Sequence, residues 1–236
     1  MIESKMIKLS KGNYILGVPK SPQSVLHKWE KRQKIQMENY LIAETSVTVG
    51  MFKQYIKEVF QTIPPHFTHM SVQQDDLPAN GLGWIDAVAY ARWIRNKTGK
   101  PYRLPTNDEW EVAARGGLVN KKYPWGNEDP QGRCDYAIKK GDHNPHPIKS
   151  YEPNGYGVYD MAGNIWNWCS DLWINYTFND PPVNAPTQLS PEMNVILRGG
   201  SFMTTDPNYL MCAYVHEDPP DLRHVSLGMR LACDIV

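Results

Sequence analysis

The sequence lacks any long apolar run and any excess of charge of one sign. Lysine and arginine number 25, and aspartate and glutamate also number 25, so the formal net charge is zero. Nucleic acids and anionic membranes attract basic surfaces, so a neutral chain whose charges alternate without a patch argues against both partners. No segment approaches the roughly 20 apolar residues of a membrane span, and residues 1–10 lack the apolar core of a signal peptide. We therefore expect a cytoplasmic protein that binds neither nucleic acid nor membrane.

Cysteines are few, and none stand in a CxxC or zinc-type spacing. The four are Cys134, Cys169, Cys212 and Cys233. Because thiols stay reduced in the cytoplasm, we expect them to be free and partly buried. The alternative is an oxidised pair such as Cys212 with Cys233, and three pairings are open if all four bond.

Aromatic and turn-forming residues are abundant: the chain has 8 Trp, 13 Tyr, 19 Pro and 17 Gly. Tryptophan and tyrosine combine a large apolar surface with a polar group, which suits an irregular core wrapped by many loops. Proline and glycine lie only modestly above ordinary usage, so they indicate many turns and not disorder. No composition break, repeat or low-complexity stretch divides the chain. We therefore expect one domain spanning residues 1–236.

Short strands are predicted towards both ends of the chain. Near the beginning they cover Tyr14–Val18 and Tyr40–Ala43, while the polar and basic stretch Ser21–Met37 is predicted as a loop or an exposed helix. In the second half, where turn residues recur, strands are predicted at Val195–Leu197 and Gly228–Ala232.

Apolar residues at helical spacing predict two amphipathic helices. The first follows a turn at 45–48 and precedes a loop over 61–83. Its apolar residues are Met51, Phe52, Tyr55, Ile56, Val59 and Phe60. The second covers about 85–96, and its apolar face consists of Ile85, Val88, Ala91 and Ile94.

A third, short helix has clearly marked ends. Thr106, followed three residues later by Glu109, forms a capping-box pattern at its start, and Gly116–Gly117 ends it. Together with a loop-rich, mostly β second half, these helices predict an α+β fold.

Five short blocks of sequence follow one another along the chain. Residues 103–117 read RLPTNDEWEVAARGG, 123–127 read YPWGN and 153–168 read PNGYGVYDMAGNIWNW. Residues 197–202 read LRGGSF and 227–230 read LGMR. In this order the blocks resemble the formylglycine-generating-enzyme family, also called the FGE-sulfatase or sulfatase-modifying-factor family. The resemblance covers a core of about 40–233. It implies a C-type-lectin-like fold, loop-rich, with two to three short helices and short antiparallel strands.

Most of these motifs are expected to build the fold and not to carry chemistry. Large aromatic side chains can hold together loops that lack a sheet ladder. The aromatics expected to do so are Trp125, Trp166, Trp168 and Trp173.

The resemblance implies a structural calcium site in the 160–167 loop. Its ligands would be the Asp160 side chain, the carbonyls of Gly163 and Ile165, and the Asn167 side chain, since Ca²⁺ prefers hard oxygen ligands. The family usually has glutamate where Asn167 stands, so this chain offers one formal charge fewer. The alternative is that Asn167 only hydrogen-bonds the loop and no metal binds.

The family's copper centre has no counterpart in this chain. Formylglycine generators use two cysteines just after the GGS motif, and soft thiolates are the natural ligands of Cu(I). Residues 201–209 read SFMTTDPNY, with Thr204 where the first thiol would be, and Cys212 matches a structural cysteine of the family. We therefore expect neither copper nor formylglycine generation.

A charged segment that follows is the candidate for other chemistry. His216, Glu217, Asp218 and His224 could serve as acid–base groups or as ligands of a redox metal that we do not assign. In the related ergothioneine sulfoxide synthases, an aspartate matching Asp218 belongs to the active-site region, but the iron ligands come from a separate helical domain. The alternative is a polar rim around a pocket.

The same resemblance places a ligand pocket at the C-terminal surface, and its residues leave two functions open. Substrate-binding residues would be Phe202, Thr204, Tyr209, Tyr214 and Arg223, with Met211 on the pocket floor. In one interpretation, slightly preferred because the family consists mostly of catalysts, the protein is an atypical oxidoreductase or maturation factor. It would act on a small-molecule or peptidyl substrate, as in the non-copper branch of the family. In the other, the pocket is a non-catalytic module that binds a small molecule, a peptide or a protein.

Overall fold

Three α-helices, one short 3-10 helix and ten short strands make up the regular structure of residues 2–17, 33–60, 74–137, 144–173 and 193–235, which the computed structural model describes. The α-helices are α1 (Val49–Val59), α2 (Trp84–Thr98) and α3 (Asn107–Arg115), and the 3-10 helix covers Pro207–Leu210. The strands are β1 (Met6–Leu9), β2 (Gly12–Leu16), β3 (Gln33–Met37), β4 (Tyr40–Ala43), β5 (Tyr102–Arg103), β6 (Trp166–Leu172), β7 (Val195–Arg198), β8 (His216–Asp218), β9 (Leu227–Met229) and β10 (Ala232–Asp234). The predictions at Val18, 21–32 and 61–73 lie outside the described residues.

The strands form three small sheets. One has the order β1-β4-β10-β5 with antiparallel neighbours, so strands from both ends of the described chain pair in one sheet. Strands β2 and β3 form a two-stranded antiparallel sheet. The third has the order β8-β7-β6-β9, in which only β6 and β9 run parallel. This third sheet carries the candidate site.

Helix α1 begins where the sequence predicts, but its last apolar residues do not join the core. The Thr48 hydroxyl accepts a hydrogen bond from the Met51 amide at 3.3 Å, which caps the first turn. Phe52 and Ile56 are buried, whereas Val59 and Phe60 are 50% and 40% exposed. The apolar face therefore ends about one turn earlier than predicted.

Helix α2 confirms the predicted apolar face in part. Ala91 and Ile94 are buried as predicted, whereas Ile85 is 41% exposed. Trp84, Ala87 and Tyr90 also face the core, and the Tyr90 ring stacks on Phe52 of α1 at 5.5 Å. The buried face is shifted from the predicted one because the large aromatic rings, which the aliphatic pattern leaves out, bury more surface.

Helix α3 has the predicted ends. The Thr106 hydroxyl accepts from the Glu109 amide at 3.1 Å, and the Glu109 carboxylate accepts from the Thr106 amide at 2.8 Å. At the C-terminus, Gly116 has φ of +54°, a left-handed conformation that glycine adopts at little cost. The capping box and the glycine stop are confirmed.

The strand predictions are partly confirmed. Strand β4 has the predicted bounds, and β7 extends the predicted one to Arg198. Residues 33–37 form β3 where a loop or exposed helix was predicted, because pairing with β2 stabilises a polar strand. The predicted strand 228–232 is two strands, β9 and β10, in different sheets. No helix within the described residues is long and apolar enough to cross a membrane.

Candidate functional site

Strand β8 carries three of the four predicted catalytic side chains and divides them between two faces. In the register of the third sheet, His216 lies opposite Leu197, which lies opposite Trp168. Because side chains alternate along a strand, His216 and Asp218 lie on the same face of the sheet as Leu197 and Trp168. Glu217 lies on the opposite face. The face of His216 and Asp218 is the one that carries the candidate site.

His216 and Asp218 form a pair at the protein surface. The His216 Nε2 atom lies 3.5 Å from Asp218 Oδ2, and their side chains are 41% and 24% exposed. A carboxylate beside an imidazole can orient the ring. These two predicted residues are therefore brought together.

Four aromatic rings form a continuous array beside this pair, which we call the aromatic row: Tyr209, Tyr214, His216 and Trp166. Tyr209 stacks on Tyr214 with centroids 4.6 Å apart and 27° between the planes. Tyr214 and His216 are 6.5 Å apart at 18°, and His216 and Trp166 are 5.2 Å apart at 31°. Trp166 is 7% exposed and Tyr209 is 41% exposed. The row therefore has a buried floor and an open end.

From the sequence, Trp166 is expected only to hold loops together. The structure adds its contact with the His216 ring, which places it in the candidate site. No pattern of spacing in the sequence indicates this contact, because β6 and β8 meet only through the strand between them.

A buried arginine fixes the backbone beneath the row. Arg198 is wholly buried, and its guanidinium donates to the carbonyls of Tyr214 and Cys212. It also donates to the Glu111 carboxylate of α3 at 2.7 Å. Helix α3 and the backbone that carries Tyr214 are thereby tied together, which limits the conformations open to the row.

Glu217 is partly buried on the opposite face of β8. Burial raises the pKa of its carboxyl above the ordinary value. Its Oε2 atom has no hydrogen-bond partner among the described residues. Since Glu217 lies on the other face of the strand, it does not share the surface of the His216–Asp218 pair.

His224 and Arg223 lie in the loop between β8 and β9, and their contacts hold this loop in place. The Nδ1 atom of His224 lies 2.7 Å from the Ser226 hydroxyl. Arg223 binds both carboxylate oxygens of Asp86 in α2, at 2.8 and 3.0 Å. Within the part of the chain that the structure describes, neither residue contacts the aromatic row, so the predicted catalytic set does not converge.

Phe202 and Thr204, two of the predicted substrate-binding residues, are inside the protein. Phe202 is 2% exposed and Thr204 is 6% exposed. The Thr204 hydroxyl accepts from the Ser201 amide at 2.9 Å, and its carbonyl accepts from the Ala137 amide at 2.9 Å. Both residues shape the turn after β7 and present no side chain to the row. Met211, also expected on the pocket floor, is 5% exposed.

The four cysteines are free and buried, which confirms that expectation. Burial raises the pKa of the Cys134 and Cys212 thiols to about 12 in each case. Neutral thiols are poor metal ligands because the thiolate is the binding form. Among the described residues, no three His, Cys, Asp or Glu side chains form a group that could hold a metal ion.

The oxygens predicted to bind calcium already accept hydrogen bonds. The Asn167 Oδ1 atom accepts from Trp110 Nε1 at 3.2 Å and from Arg230 Nε at 3.3 Å. The carbonyl of Ile165 accepts from Asn167 Nδ2, and that of Gly163 accepts from the Ile165 amide. Little ligand capacity is left at these three positions.

Arg230, which follows β9, places a positive charge against the 160–167 loop. It is wholly buried and donates to the carbonyls of Ala43 and Tyr159, at 2.6 Å each. Burial lowers the pKa of its guanidinium to about 10, so the group stays charged at neutral pH. Asp160, whose Oδ2 accepts from the Lys149 amide, has a pKa raised by burial. Arg230 thus places a positive charge beside Asn167, one of the four residues that the resemblance assigns to calcium.

The zero net charge hides a segregation of charge along the chain. Residues 150–222 contain nine acidic residues and a single Lys or Arg, which is Arg198. Of the 25 of each sign, 16 acidic and 24 basic residues therefore lie elsewhere. The expectation that no part of the chain stands out in charge is wrong, and a windowed charge count would have detected this.

The three α-helices and the short, mostly antiparallel sheets place the chain in the α+β class, and comparison with known proteins defines the family. A family model described as the sulfatase-modifying factor enzyme 1-like domain, FGE-sulfatase, matches residues 2–235. The chain belongs to this family. It is similar to a formylglycine-generating enzyme of Streptomyces coelicolor, 40% identical over 172 residues, 66% of this chain and 52% of that protein. It thus spans about half the length of this curated relative.

Solved structures agree on the fold. PvdO from Pseudomonas aeruginosa superposes with a TM-score of 0.79 over 98% of this chain and 95% of that chain, at 24% identity. Treponema denticola variable protein 1 gives a TM-score of 0.78 at the same identity and coverage. The predicted α+β, C-type-lectin-like fold of the FGE type is confirmed. At this identity the likeness defines the fold and nothing finer.

Proposed function

We propose that this protein is a recognition domain of the FGE-sulfatase family that binds a peptide segment of a partner protein on the aromatic row. The observation that carries the proposal is the row itself, with Tyr209 and Tyr214 stacked at 4.6 Å and open to solvent at the Tyr209 end. Rigid aromatic side chains give a large contact area for little loss of conformational entropy, as in antibody binding sites. An open array suits an extended segment better than an enclosed small molecule.

The fixed backbone of the row supports binding. Arg198 holds the carbonyls of Cys212 and Tyr214, and Trp166 closes the floor. A surface that is already ordered loses less freedom when a ligand docks, so more of the contact energy appears as affinity.

The residues available for formylglycine chemistry support the same proposal. Thr204 is buried with its hydroxyl engaged, and the pKa of the Cys212 thiol is raised to about 12. No paired thiolate is offered to Cu(I) at this position. We therefore propose that the chain does not generate formylglycine.

One observation favours a second candidate, an atypical oxidoreductase or maturation factor acting on a bound small molecule or peptide. The His216–Asp218 pair has the arrangement of a general base oriented by a carboxylate. The similar protein of Streptomyces coelicolor is named as a formylglycine-generating enzyme. The pair stands at the row, so both candidates use the same surface.

A displayed library of random peptides tests the proposal. It would be selected in parallel against the wild type, the double variant Tyr209→Ala/Tyr214→Ala and the control Phe60→Ala. Phe60 is 40% exposed, close to the 41% of Tyr209, and lies at the end of α1. We expect peptides to be enriched by the wild type and the control but not by the double variant. Thermal melts would establish that all three proteins fold.

Either of two results would decide against the proposal. Enrichment that is equal for the double variant would place binding elsewhere, and no enrichment by any of the proteins would remove the recognition function. Mass spectrometry of selected peptides after incubation with the protein in air addresses the second candidate. A covalent change that disappears in His216→Ala would establish the enzyme.

A further inference from the structure

From the charges around the aromatic row we infer that its ligand is a basic peptide that binds chiefly through arginine side chains. The inference rests on the proposed function and names the chemistry of the peptide. Its two supports are independent: the electron-rich faces of the rings and the carboxylates that flank them. Both attract a cation.

Carboxylates lie beside two parts of the row. The exposed Asp206 is close to Tyr209 along the backbone, since its carbonyl accepts from the Tyr209 amide at 3.0 Å while its side chain accepts from the Asn208 amide. Further along the row, Asp218 lies 3.5 Å from the third ring, His216, and the exposed Asp221 follows it in the sequence. A ligand lying along the rings therefore meets negative charge near Tyr209 and near His216.

The two arginines closest to the row in sequence, Arg198 and Arg223, are already paired with other carboxylates. Arg198 is wholly buried and paired with Glu111, and the Arg223 guanidinium donates to both carboxylate oxygens of Asp86. Among the residues with described side chains, no Lys or Arg forms an ion pair with Asp206, Asp218 or Asp221. Asp218 lies beside His216 and Asp206 accepts from the Asn208 amide, but neither carboxylate is paired with a lysine or arginine of the described residues, so each can still attract a cation.

Arginine fits the row better than lysine does. A guanidinium is planar, so it can stack on the exposed face of Tyr209 while its N–H groups reach a neighbouring carboxylate. An ammonium interacts with rings and carboxylates as a point charge and gains nothing from parallel stacking. Because the inner face of Tyr209 is covered by Tyr214, its outer face is the natural stacking surface.

The length of the row argues for a peptide and against a single small cation. The Tyr209–Tyr214 and Tyr214–His216 centroid distances are 4.6 and 6.5 Å. At about 3.3 Å per residue, these two steps together match at most roughly three residues of an extended chain. A peptide with two arginines at such a spacing can contact both Tyr209 and the region of His216, whereas one guanidinium contacts only one of them.

Fluorescence polarisation with labelled peptides tests the inference on the full chain. The probes are twelve-residue glycine–serine peptides that carry four arginines, four lysines or four glutamates at matched positions, and free arginine serves as competitor. We expect the arginine peptide to bind most tightly, the lysine peptide more weakly and the glutamate peptide not at all. Affinity for the arginine peptide should fall steeply as NaCl rises from about 50 to 500 mM, since screening weakens exposed charge pairs.

Substitutions in and beside the aromatic row test whether the arginine peptide binds there. Tyr209→Ala and Asp218→Asn should each weaken the arginine peptide about two- to tenfold. Tyr209→Ala should affect the arginine peptide more than the lysine peptide, because stacking is lost. Glu38→Gln is the charge-matched control, since Glu38 is an exposed acid paired with Lys11 in a different sheet region. It should leave affinity unchanged.

Several outcomes would overturn the inference. Arginine-peptide binding that is salt-sensitive but unchanged in Tyr209→Ala and Asp218→Asn would be non-specific attraction to an acidic surface. Competition by free arginine as strong as by the peptide would identify a small cation as the ligand. If the random library instead yields neutral or acidic peptides that depend on the row, the basic ligand is wrong while the recognition function stands.

Discussion

At the scale of single residues, the buried carboxylate of Asp171 shows how burial changes the chemistry of a side chain. Its Oδ2 atom accepts from the Asn107 amide at 2.6 Å, at the start of α3. Burial is the largest influence and raises its pKa from 3.8 to about 7, and the nearby Asp108 and Glu109 act in the same direction. The folded protein therefore retains a proton that the unfolded chain releases near pH 4.

This shift predicts a stability that falls as pH rises. Between about pH 4 and pH 7 the native state binds more protons than the unfolded state, so the free energy of unfolding decreases with pH and levels off above pH 7. Asp171→Asn removes the titration but keeps an acceptor for Asn107. From pH 5 to pH 8, we expect the wild type to lose roughly 2 kcal/mol more than this variant.

Urea unfolding of both proteins at the two pH values measures the difference. Ser170→Ala keeps the carboxylate but removes a hydrogen bond that lowers its pKa, so this variant should retain the pH dependence of the wild type or increase it. Parallel pH dependence in the wild type and Asp171→Asn would contradict the assignment.

The loop that the family resemblance assigns to calcium is a second case at this scale. Arg230 donates to Asn167 and to the carbonyls of Ala43 and Tyr159. Because this guanidinium already neutralises the loop, we expect removal of Ca²⁺ with a chelator to leave the melting temperature unchanged. Calorimetry with and without about 1 mM Ca²⁺ checks this, and a rise in melting temperature that Asp160→Ala abolishes would restore the calcium site.

At the scale of elements, helix α3 is the best-specified part of the fold. Its N-terminus has a reciprocal capping box between Thr106 and Glu109, and its C-terminus has Gly116 in the left-handed conformation. Both signals lie within a few residues, so no tertiary information is needed to recognise them. Helix α2 contrasts with it, because its buried face depends on packing against α1.

The capping box predicts a measurable cost when the cap is removed. Thr106→Ala leaves the Glu109 amide without its side-chain acceptor and should lower the free energy of unfolding by about 1 kcal/mol. Thr106→Ser keeps a hydroxyl and should lie within a few tenths of the wild type. Chemical denaturation provides the values, and equal losses in the two variants would show that the methyl group, not the cap, is what matters.

At the scale of the whole molecule, Glu111 links parts of the chain that are far apart in sequence. Its Oε1 atom accepts from the Gly17 amide and from Arg115, and its Oε2 accepts from Arg198 beneath the aromatic row. All three charged side chains are almost wholly buried, so their pairing matters more than that of exposed ions.

Removing this charge should affect both stability and the row. Glu111→Gln leaves two buried guanidinium groups with one partner fewer, and we expect a loss of about 3 kcal/mol in the free energy of unfolding. Glu58→Gln, which breaks an exposed pair with Lys97, should leave the free energy of unfolding nearly unchanged, because solvent screens exposed ion pairs. Urea titrations compare the two variants. A similarly small effect at both sites would mean that the buried network contributes little.

Much of the fold could be read from local pattern, and the candidate site could be read only in part. Strand β4, the ends of α3 and the five family blocks are local signals, as are His216 and Asp218 two residues apart on one strand. Strand β3 could not be predicted because its polar residues become a strand only by pairing with β2. Trp166 and Arg198 could not be placed at the site, since their contacts join residues far apart in the chain.

By itself, the sequence determined the family, the α+β class, the loss of the cysteine pair and the acidic balance of residues 150–222, because each depends on residue identity or short spacing. The tertiary structure alone decided which of the proposed site residues act together. It placed the His216–Asp218 pair beside Tyr214, on which Tyr209 stacks, paired Arg223 with Asp86 of α2 and His224 with Ser226, and buried Phe202 and Thr204. The reason is physical: a strand's faces, a ring's exposure and a cation's partners are set by packing between distant segments.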